Sequence, residues 1–527
     1  MVEHPFTNED IRLIRGHGLS IQEAQRQMDL FRMPPPFLNL LRPCTPEDGI
    51  KVFDEEDLMA LTEAYENNAP KRHCLKFVPA SGAASRMFRI PLRYLNRGRP
   101  IEKESIATQA QAGQRDAREF LEFLDGLRDF AFFDELKSLM SREGLDMDTL
   151  LRKGQFTEII RLILGDAGLN YAGLPKGLLK FHEYPNGSRT AFEEQLVEGA
   201  SYIANQDGSC FFHFTVSQEH LGLFQALFER LRSKYEEEHK STFHVTFSLQ
   251  KASTDTLAVD LDNKPFRQEN GRLLFRPGGH GALIENLTDL KGDIIFLKNI
   301  DNVVPDRLKP ETFKWKKILG GFLITIQDKI FRYMDKLSSG AADERLIDRV
   351  ATFMRDELLC PLPAHEAGLP PDEKKALLVQ KLNRPVRICG MVSNVGEPGG
   401  GPFWVQDQTG EVSLQIVETA QVDPESQQQQ AILASSTHFN PVDVVCGVHD
   451  WKGRPFDLRQ YVDQDAVFLS RKSKDGKDLK ALEHPGLWNG SMAKWITMFV
   501  EVPSITFNPV KTINDLLRME HQPEKTC

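Results

Sequence analysis

A carboxylate that follows an apolar run is the first feature of this sequence that could do chemistry. Residues 293–297, Asp-Ile-Ile-Phe-Leu, predict a buried strand, and residues 299–302, Asn-Ile-Asp-Asn, come just beyond its carboxyl end. Mg²⁺ prefers oxygen ligands, keeps several waters and commonly shares its site with substrate phosphates. We therefore expect Asp301 to lie in a site that suits a metal and a polyphosphate.

Three cations occupy segments that could face such phosphates. Arg86 ends a turn of small residues after a predicted strand at 74–79, and such a turn can present backbone amides and a cation to phosphate oxygens. Lys176 follows Pro175, which fixes the backbone before it, and Lys511 lies in a proline-braced stretch before a helix start. Taken singly, each segment reads as an ordinary turn with an incidental cation, so the hypothesis depends on their occurring together.

A glycine-rich turn and a glutamine could face a nucleotide. Residues 276–282, Arg-Pro-Gly-Gly-His-Gly-Ala, lack side chains at three positions, so a flat ligand could approach the backbone closely. Gln250 ends a predicted strand at 242–249, and its amide could read a base edge. The alternatives are a plain turn and an ordinary polar strand end.

Composition limits the class of protein. The 527 residues predict two to four domains or one large elaborated domain. A hydrophobic fraction of 40% and a charged fraction of 27% are ordinary for a globular protein. The net charge of -10 argues against a surface built to hold nucleic acid, so we expect a small ligand.

The expected location is the cytoplasm. No apolar run reaches transmembrane length, and the first residues lack a basic region followed by an apolar one, so we expect no membrane partner. Seven cysteines are dispersed without Cys-x-x-Cys spacing, which indicates reduced thiols rather than disulfides or a zinc site.

Strand and helix patterns alternate around these groups. A helical leader over 1–70 carries capping signals at residues 7–10 and 20–23, and residues 89–170 are mostly helical. Such alternation indicates an α/β layered domain whose ligands bind at the carboxyl ends of strands. The other predicted strands are 209–216, 385–392, 403–407, 412–417, 442–448 and 499–503.

Six segments, in this order, resemble the motifs of the UDP-sugar pyrophosphorylase family, the nucleotidyltransferases typified by UTP:glucose-1-phosphate uridylyltransferase. One such motif is weak, but six in sequence are hard to obtain by chance. They are the glycine-rich loop at 82–86, the Pro-Lys pair at 175–176, the Phe-x-Gln-type segment at 247–250, the Pro-x-Gly-His-Gly turn at 277–281, Asn-x-Asp-Asn at 299–302, and Phe-x-Pro-Val-Lys-x-x-x-Asp-Leu-Leu at 507–517.

The resemblance implies an α/β fold of the nucleotide-diphospho-sugar transferase type (GT-A, Rossmann-like), with a mixed sheet flanked by helices, a helical leader and a helical insertion. On that basis the division is a cap, a core interrupted by the insertion, a helical segment with a linker, and a second core part that carries the sugar-phosphate side. The bounds are 1–70, 71–340 with the insertion at about 89–170, 341–383, and 384–527.

The implied reaction is attack of a sugar 1-phosphate on the α-phosphorus of a nucleoside triphosphate, with UTP favoured, releasing pyrophosphate. The family's roles fall on three catalytic cations, Arg86, Lys176 and Lys511, and on a Mg²⁺ ligand, Asp301. The nucleotide-binding positions are Ser81, Gly82, Ala83, Gln250, Gly279 and His280. The substrate-binding positions are Asn299 and Asn440.

The chain departs from the family pattern in two places. The family loop reads Gly-Gly-x-Gly-Thr-Arg, whereas residues 81–86 read Ser-Gly-Ala-Ala-Ser-Arg, so two glycines are replaced. The insertion at about 89–170 also separates this loop from Pro175 and Lys176, which lie a short step apart in the family. These differences indicate a distant, bacterial branch and leave the base and sugar open.

Two other functions fit parts of the sequence. A glycosyltransferase of the same fold would hold a nucleotide sugar through Asp301 and a metal, and residues 260–262 match its typical Asp-x-Asp pair but precede the predicted strand rather than ending it. A degenerate nucleotide-binding regulatory protein would explain the altered loop, although a pure binder would not need all three cations together with the carboxylate. Oligomeric state cannot be inferred from the sequence.

Overall fold

The computed structural model describes residues 5–34, 36–339, 343–363, 366, 368–396, 400–439 and 443–524. Within-chain contacts divide the protein into two compact units. The first unit comprises Met1–Leu75, Ser248–Leu297 and Lys317–Ser504. The second unit comprises Lys76–Phe247, Lys298–Lys316 and Ile505–Cys527.

The described strands are short and spread along the whole chain. They are Asn39–Pro43 (β1), Ile50–Lys51 (β2), Cys74–Pro79 (β3), Lys180–Tyr184 (β4), Gly187–Thr190 (β5), Ser209–Val216 (β6), Thr242–Leu249 (β7), Thr256–Val259 (β8), Phe275–Arg276 (β9), Ile294–Leu297 (β10), Val386–Met391 (β11), Gly401–Gln406 (β12), Val412–Val417 (β13), Asp443–Gly447 (β14), Phe468–Lys474 (β15), Lys477–Glu483 (β16) and Ile496–Glu501 (β17).

The described helices include one long element and a cluster in the insertion. They are Asn8–Gly16 (α1), Ile21–Leu30 (α2), Glu55–Asn68 (α3), Arg89–Leu95 (α4), Lys103–Gln111 (α5), Arg115–Asp125 (α6), Phe133–Arg142 (α7), Met147–Arg152 (α8), Thr157–Leu164 (α9), Ala191–Ala200 (α10), Leu221–His239 (α11), Ile284–Thr288 (α12), Lys309–Ser338 (α13), Glu344–Asp356 (α14), Pro371–Leu382 (α15) and Gln427–Ala434 (α16). Among the described residues, none of these helices has the length and apolar character needed to cross a membrane.

The first unit contains a mixed sheet with the strand order β2-β17-β11-β14-β10. Strand β11 pairs in parallel with β17, with Val386 opposite Ile496, and antiparallel with β14, with Val386 opposite Gly447. All residues of β10, β11 and β14 are buried, because both faces are covered, and their sequences are apolar apart from Arg387 and Asp443. Helix α13 packs on this sheet, where Gly320 allows close approach of Tyr65 and Phe296.

Two smaller sheets complete the first unit. One has the order β1-β12-β13 and the other β15-β16-β8-β9. The amino-terminal helices pack on the second of these through a cluster that includes Ile14, Met28, Leu257 and Leu482. Helix α1 is also anchored by Arg267, which donates to both oxygens of Asp10 at 2.9 and 2.7 Å.

The second unit holds the strands β3, β6 and β7 in that order, with the β4–β5 hairpin. Helix α10 packs against β6, with the rings of Phe192 and Phe214 4.6 Å apart, and all of its residues are buried. The insertion, α4 to α9, has its own aromatic core, in which the rings of Tyr94 and Phe120 stack at 4.5 Å.

The predicted fold class is confirmed, since mixed sheet strands alternate with flanking helices. The strands expected at 74–79, 209–216, 242–249 and 412–417 have those bounds in the structure. The leader predicted as helical contains α1, α2 and α3 but also β1, which pairs antiparallel with β12 and places Asn39 opposite Gln406. The partner strand lies far away in sequence, so no local pattern reveals it.

Candidate active site

The loop after β3 is joined to the Pro-Lys pair by backbone hydrogen bonds. Ala83 and Pro175 form an isolated antiparallel bridge. On either side of it, Lys176 N donates to Gly82 O at 3.0 Å, and the amide of Ala84 donates to Leu174 O at 3.1 Å. The insertion therefore separates these two motifs in sequence only, since the fold of the second unit brings them side by side.

Lys176 is the central contact of the candidate site. Its ammonium donates to Asp301 Oδ2 and to the carbonyl of Val510, both at 2.7 Å. The side chains of Lys176 and Asp301 are only 14% and 18% exposed, so the ion pair is largely shielded from water. One lysine thus links three predicted motifs, those at 175–176, 299–302 and 507–517.

The carboxyl-terminal motif runs alongside the Asp301 segment. Val510 N donates to Asp301 O at 3.1 Å, and Asn302 forms an antiparallel bridge with Pro509. The buried Asn302 side chain accepts from the amide of Asn508 at 2.9 Å. These bonds place Lys511 one residue beyond a backbone that is paired with Asp301.

A buried helix fixes the other side of the Asp301 segment. Gln195 of α10 donates from Nε2 to Asn299 O at 2.8 Å. One turn later, Glu198 accepts from Lys298 Nζ at 2.7 Å and from Lys76 Nζ at 3.0 Å. The segment that begins at Lys298 is therefore held within the second unit by charge-assisted and neutral hydrogen bonds.

The charges of this network perturb one another. Burial lowers the pKa of Lys76 to about 7, an effect that Glu198 only partly opposes. Burial alone would raise the pKa of Glu198, but the ammonium groups of Lys298 and Lys76 outweigh it and hold that pKa well below its usual range. Glu198 is therefore ionised at neutral pH, whereas Lys76 titrates close to it.

The remaining predicted cations are solvent-exposed. Arg86 lies in a short 3-10 helix, Ala84–Arg86, and Lys511 precedes another, Ile513–Leu517. Arg86 lines a cavity of about 660 Å³ together with Arg89, Thr512 and Arg518. A cation on the loop after β3 thus faces the same cavity as the segment that follows Lys511.

Gly82 and its neighbours differ in the space around them. A Cβ atom built on Gly82 would have no other atom within 4 Å, so this backbone position is open to a ligand. Ser81 and Ala83 are exposed, whereas Ala84 is buried and its amide is bonded within the protein. Ala84 replaces a glycine of the resembled UDP-sugar pyrophosphorylase loop at a position that faces the interior.

The other predicted nucleotide-binding residues belong to the first unit. Gln250 follows β7, and its buried Nε2 has no hydrogen-bond partner among the described residues. An unsatisfied buried amide is costly, so this donor is a candidate for a ligand contact. The strand end before it is fixed by Asn286, which donates to Ser248 Oγ and Leu249 O, both at 2.8 Å.

The glycine-rich turn has a packing role that the sequence did not reveal. Gly279 has φ +77°, and Cβ atoms on Gly278 and Gly281 would lie 2.3 Å from Thr254 O and 2.1 Å from Pro485 O. At these two positions it is therefore the protein's own chain, rather than a ligand, that approaches closely. The His280 ring accepts from Leu487 N at 3.1 Å through Nδ1.

Of the two predicted substrate-binding asparagines, the structure describes only Asn299. Asn299 is exposed, and its carbonyl is the acceptor of Gln195. Asn440 lies outside the described residues. Gln195 and Glu198 were not predicted from the sequence, although Lys76, a lysine within the apolar strand β3, was a signal that a buried carboxylate must lie nearby.

Three solved structures show what this chain is similar to. A mutant UDP-glucose pyrophosphorylase of Leishmania major, in complex with UDP-glucose, has 11% identity and a TM-score of 0.42, covering 96% of this chain and 77% of that one. The uridine diphosphate N-acetylglucosamine pyrophosphorylase of Trypanosoma brucei has 11% identity, a TM-score of 0.44 and coverages of 94% and 74%. The UDP-glucose phosphorylase of Trypanosoma brucei has 11% identity and a TM-score of 0.42, covering 97% of this chain and 80% of that one.

Sequence comparison assigns the chain to one family. No curated protein matches it significantly. A family model described as a domain of unknown function (DUF4301) matches residues 7–522. Because this match spans nearly the whole sequence, the chain belongs to the DUF4301 family.

Proposed function

We propose that this protein is a nucleotidyltransferase that joins a sugar 1-phosphate to a nucleoside triphosphate, with UTP favoured, and releases pyrophosphate. The observation that carries the proposal is the meeting of Gly82, Lys176, Asp301 and Val510 through direct hydrogen bonds in the second unit. The resemblance of the sequence to UDP-sugar pyrophosphorylases supplies the substrates, because the same four segments carry its phosphate- and metal-binding motifs.

The reaction needs positioning and charge neutralisation more than proton transfer. The second pKa of a phosphate monoester is about 6, so the attacking oxygen is already ionised at neutral pH and requires no general base. Attack on an anionic triphosphate is opposed by repulsion, which fixed cations relieve at the point where charge concentrates. A site built of lysine, arginine and one carboxylate suits these requirements.

Each cation would act at a different place. Lys176 uses two of its three N–H donors on Asp301 and Val510, which leaves the third for a phosphate oxygen. Arg86, exposed on the loop beside Gly82, would bind the triphosphate and the departing pyrophosphate. Lys511, one residue beyond Val510, would bridge the two reacting phosphates.

The residues around Asp301 fit Mg²⁺. Lys176 occupies Oδ2, so Oδ1 remains for a metal, and one carboxylate suffices because Mg²⁺ takes its other ligands from phosphates and water. When bound, the ion would neutralise part of the phosphate charge. Asp301 would hold it, and the backbone pairing with Val510 would fix the direction of that carboxylate.

The glycosyltransferase alternative has less support in the structure. Asp260, of the Asp-x-Asp match, accepts through Oδ1 from the amides of Asp262 and Lys264, both at 2.9 Å. This carboxylate therefore caps its own turn after β8, an ordinary structural role for aspartate.

A pyrophosphate-release assay tests the proposal. Purified protein with Mg²⁺, each nucleoside triphosphate and a panel of sugar 1-phosphates should release pyrophosphate for at least one pair, with UTP the best triphosphate. Lys511→Ala should lower kcat by roughly 10²-fold, by analogy with the loss of one oxyanion donor. Lys153→Ala, an exposed lysine of the insertion, serves as the matched control and should leave turnover unchanged.

Two results would count against the proposal. If no triphosphate shifts the thermal unfolding midpoint in the presence of Mg²⁺, nucleotide binding itself is excluded at the concentrations used. Binding without pyrophosphate release, in every combination of substrates, would favour the regulatory-protein alternative. Consumption of a nucleotide sugar without pyrophosphate would favour the glycosyltransferase.

A further inference from the structure

We infer that the helical insertion positions the Lys511 segment and that Asn514 is the residue through which it does so. The inference rests on the proposed function, because it assigns a role to the surroundings of a proposed catalytic lysine. It also assigns a role to residues 89–170, about 80 residues that the resemblance to UDP-sugar pyrophosphorylases does not explain.

Direct contacts join the insertion to the carboxyl-terminal motif. The side-chain amide of Asn514 donates to the carbonyl of Glu119 at 2.8 Å and to Glu122 Oε2 at 2.9 Å, both on α6. The second of these is a hydrogen bond to a charged acceptor, and such bonds are the stronger class. One short side chain therefore attaches the segment to two residues of α6 that lie about one turn apart.

Residues that follow Asn514 extend the same contact. Leu517 fills the space above Gly126, where a Cβ atom would lie 2.5 Å from Leu517 Cδ1. Further along, Gln522 Nε2 donates to the carbonyl of Asp129 at 3.1 Å. The segment thus lies against the carboxyl-terminal end of α6 and the turn that follows it, over several consecutive residues.

The contact is transmitted to Lys511 through a short hydrogen-bonded turn. Asp515, next to Asn514, accepts through Oδ2 from the amide of Lys511 at 2.8 Å and from that of Thr512 at 2.6 Å. The backbone of Lys511 is therefore fixed relative to the residues that α6 holds. On the other side, Ile513 N donates to Met87 O at 3.3 Å, which ties the turn to the loop of Arg86.

Removal of this attachment should disturb catalysis more than substrate binding. Asp515 holds the backbone amides of Lys511 and Thr512, so the position of Lys511 depends on the turn that α6 fixes. Misplacement of a catalytic group by about 1 Å can cost on the order of 10²-fold in rate. Asn514→Ala should therefore lower kcat by roughly 10- to 100-fold and leave KM for the triphosphate nearly unchanged.

A double-mutant cycle distinguishes positioning from a general loss of structure. In a Lys511→Ala background, Asn514→Ala should lower kcat by less than about 2-fold, because the group on which it acts has already been removed. Asn96→Ala, an exposed asparagine elsewhere in the insertion, is the matched control and should have no effect in either background. Additive losses in the double variant would overturn the inference.

Hydrogen exchange gives a readout that does not need activity. Asn514→Ala should speed exchange of the amides in 510–518 and leave α10 unaffected, whereas unchanged exchange in 510–518 would overturn the inference. If the wild-type protein shows no nucleotidyl transfer, the proposed function fails but the exchange experiment still decides whether the insertion orders this segment. Mass spectrometry of peptides from the wild-type and variant proteins makes the measurement.

Discussion

The substitution Glu198→Gln tests the buried network behind Asp301. Glu198 is fully buried and accepts from Lys76, Lys298 and the hydroxyl of Tyr202, at 3.0, 2.7 and 3.0 Å. Glutamine keeps the shape but removes the charge, and its NH₂ group would point a donor at one of the ammonium groups. Removal of one partner from a buried ion pair typically costs about 3–5 kcal/mol.

The loss should depend on pH through Lys76. Its folded pKa is about 7, below the ordinary value of 10.5, so wild-type stability rises with pH between these values, where the unfolded chain binds more protons. Without Glu198 the folded pKa of Lys76 falls further, and the neutral lysine then relieves part of the penalty. This makes the penalty smaller at pH 8 than at pH 5.5, by at most about 2 kcal/mol, because only the 1.5 units between pH 5.5 and the wild-type pKa of about 7 contribute.

Urea denaturation followed by circular dichroism at pH 5.5 and pH 8 measures the loss in unfolding free energy and its dependence on pH. Glu198→Gln should lose about 3–5 kcal/mol at pH 5.5 and clearly less at pH 8. Glu237→Gln on α11 is the matched control, because this glutamate is exposed, and it should stay within about 0.5 kcal/mol of wild type. A penalty that is equal at the two pH values, or larger at pH 8, would refute the assigned coupling between Glu198 and Lys76.

Two further substitutions test other contacts. Lys176→Met should lower the free energy of unfolding by about 2 kcal/mol, since it removes the bonds to Asp301 and Val510, and an unchanged urea midpoint would show that the pair contributes nothing. Gly321→Ala should cost about 1–3 kcal/mol, because the new Cβ would lie 1.9 Å from the carbonyl of Leu61. Gly82→Ala, in open space, should stay within about 0.5 kcal/mol, and equal melting temperatures for these two variants would contradict the packing argument.

The parts of the fold that could be predicted are those whose pattern is local. The apolar runs of β3 and β10 and the caps of α1 and α2, at Thr7 and Ser20, are visible in a few adjacent residues. Strand β1 and the β15–β16 hairpin were not predicted. Many residues of β1 and β15 are exposed or only partly buried, so their sequences contain no continuous apolar run. Helix α13 continues through Gly320 and Gly321, which a propensity argument would treat as an interruption, since close packing with α3 requires small residues there.

The proximity of several predicted site residues could be expected from the sequence, but the contacts between them could not. The motif order identified Gly82, Lys176, Asp301 and Lys511, and the structure joins their segments in one unit. That Lys176 contacts Asp301 directly could not be inferred, because sequence spacing carries no information on a contact between residues 125 positions apart. The roles of Gln195 and Glu198 were hidden for a different reason, since polar residues on a helix are ordinarily assigned to its exposed face.

The altered loop accommodates an alanine at one position where the resembled motif has glycine. Ala84, at a family glycine position, is buried, and its amide is bonded to Leu174 O, so its methyl group faces the interior and its N–H is not offered to a phosphate. Gly82 keeps an open backbone. A loop with fewer available amides must rely more on cations to offset phosphate charge. In the proposed reaction Arg86, Lys176 and Lys511 would offset this charge. The orientation of Lys511 by the insertion would therefore affect the rate more than it would in a protein whose loop is rich in glycine.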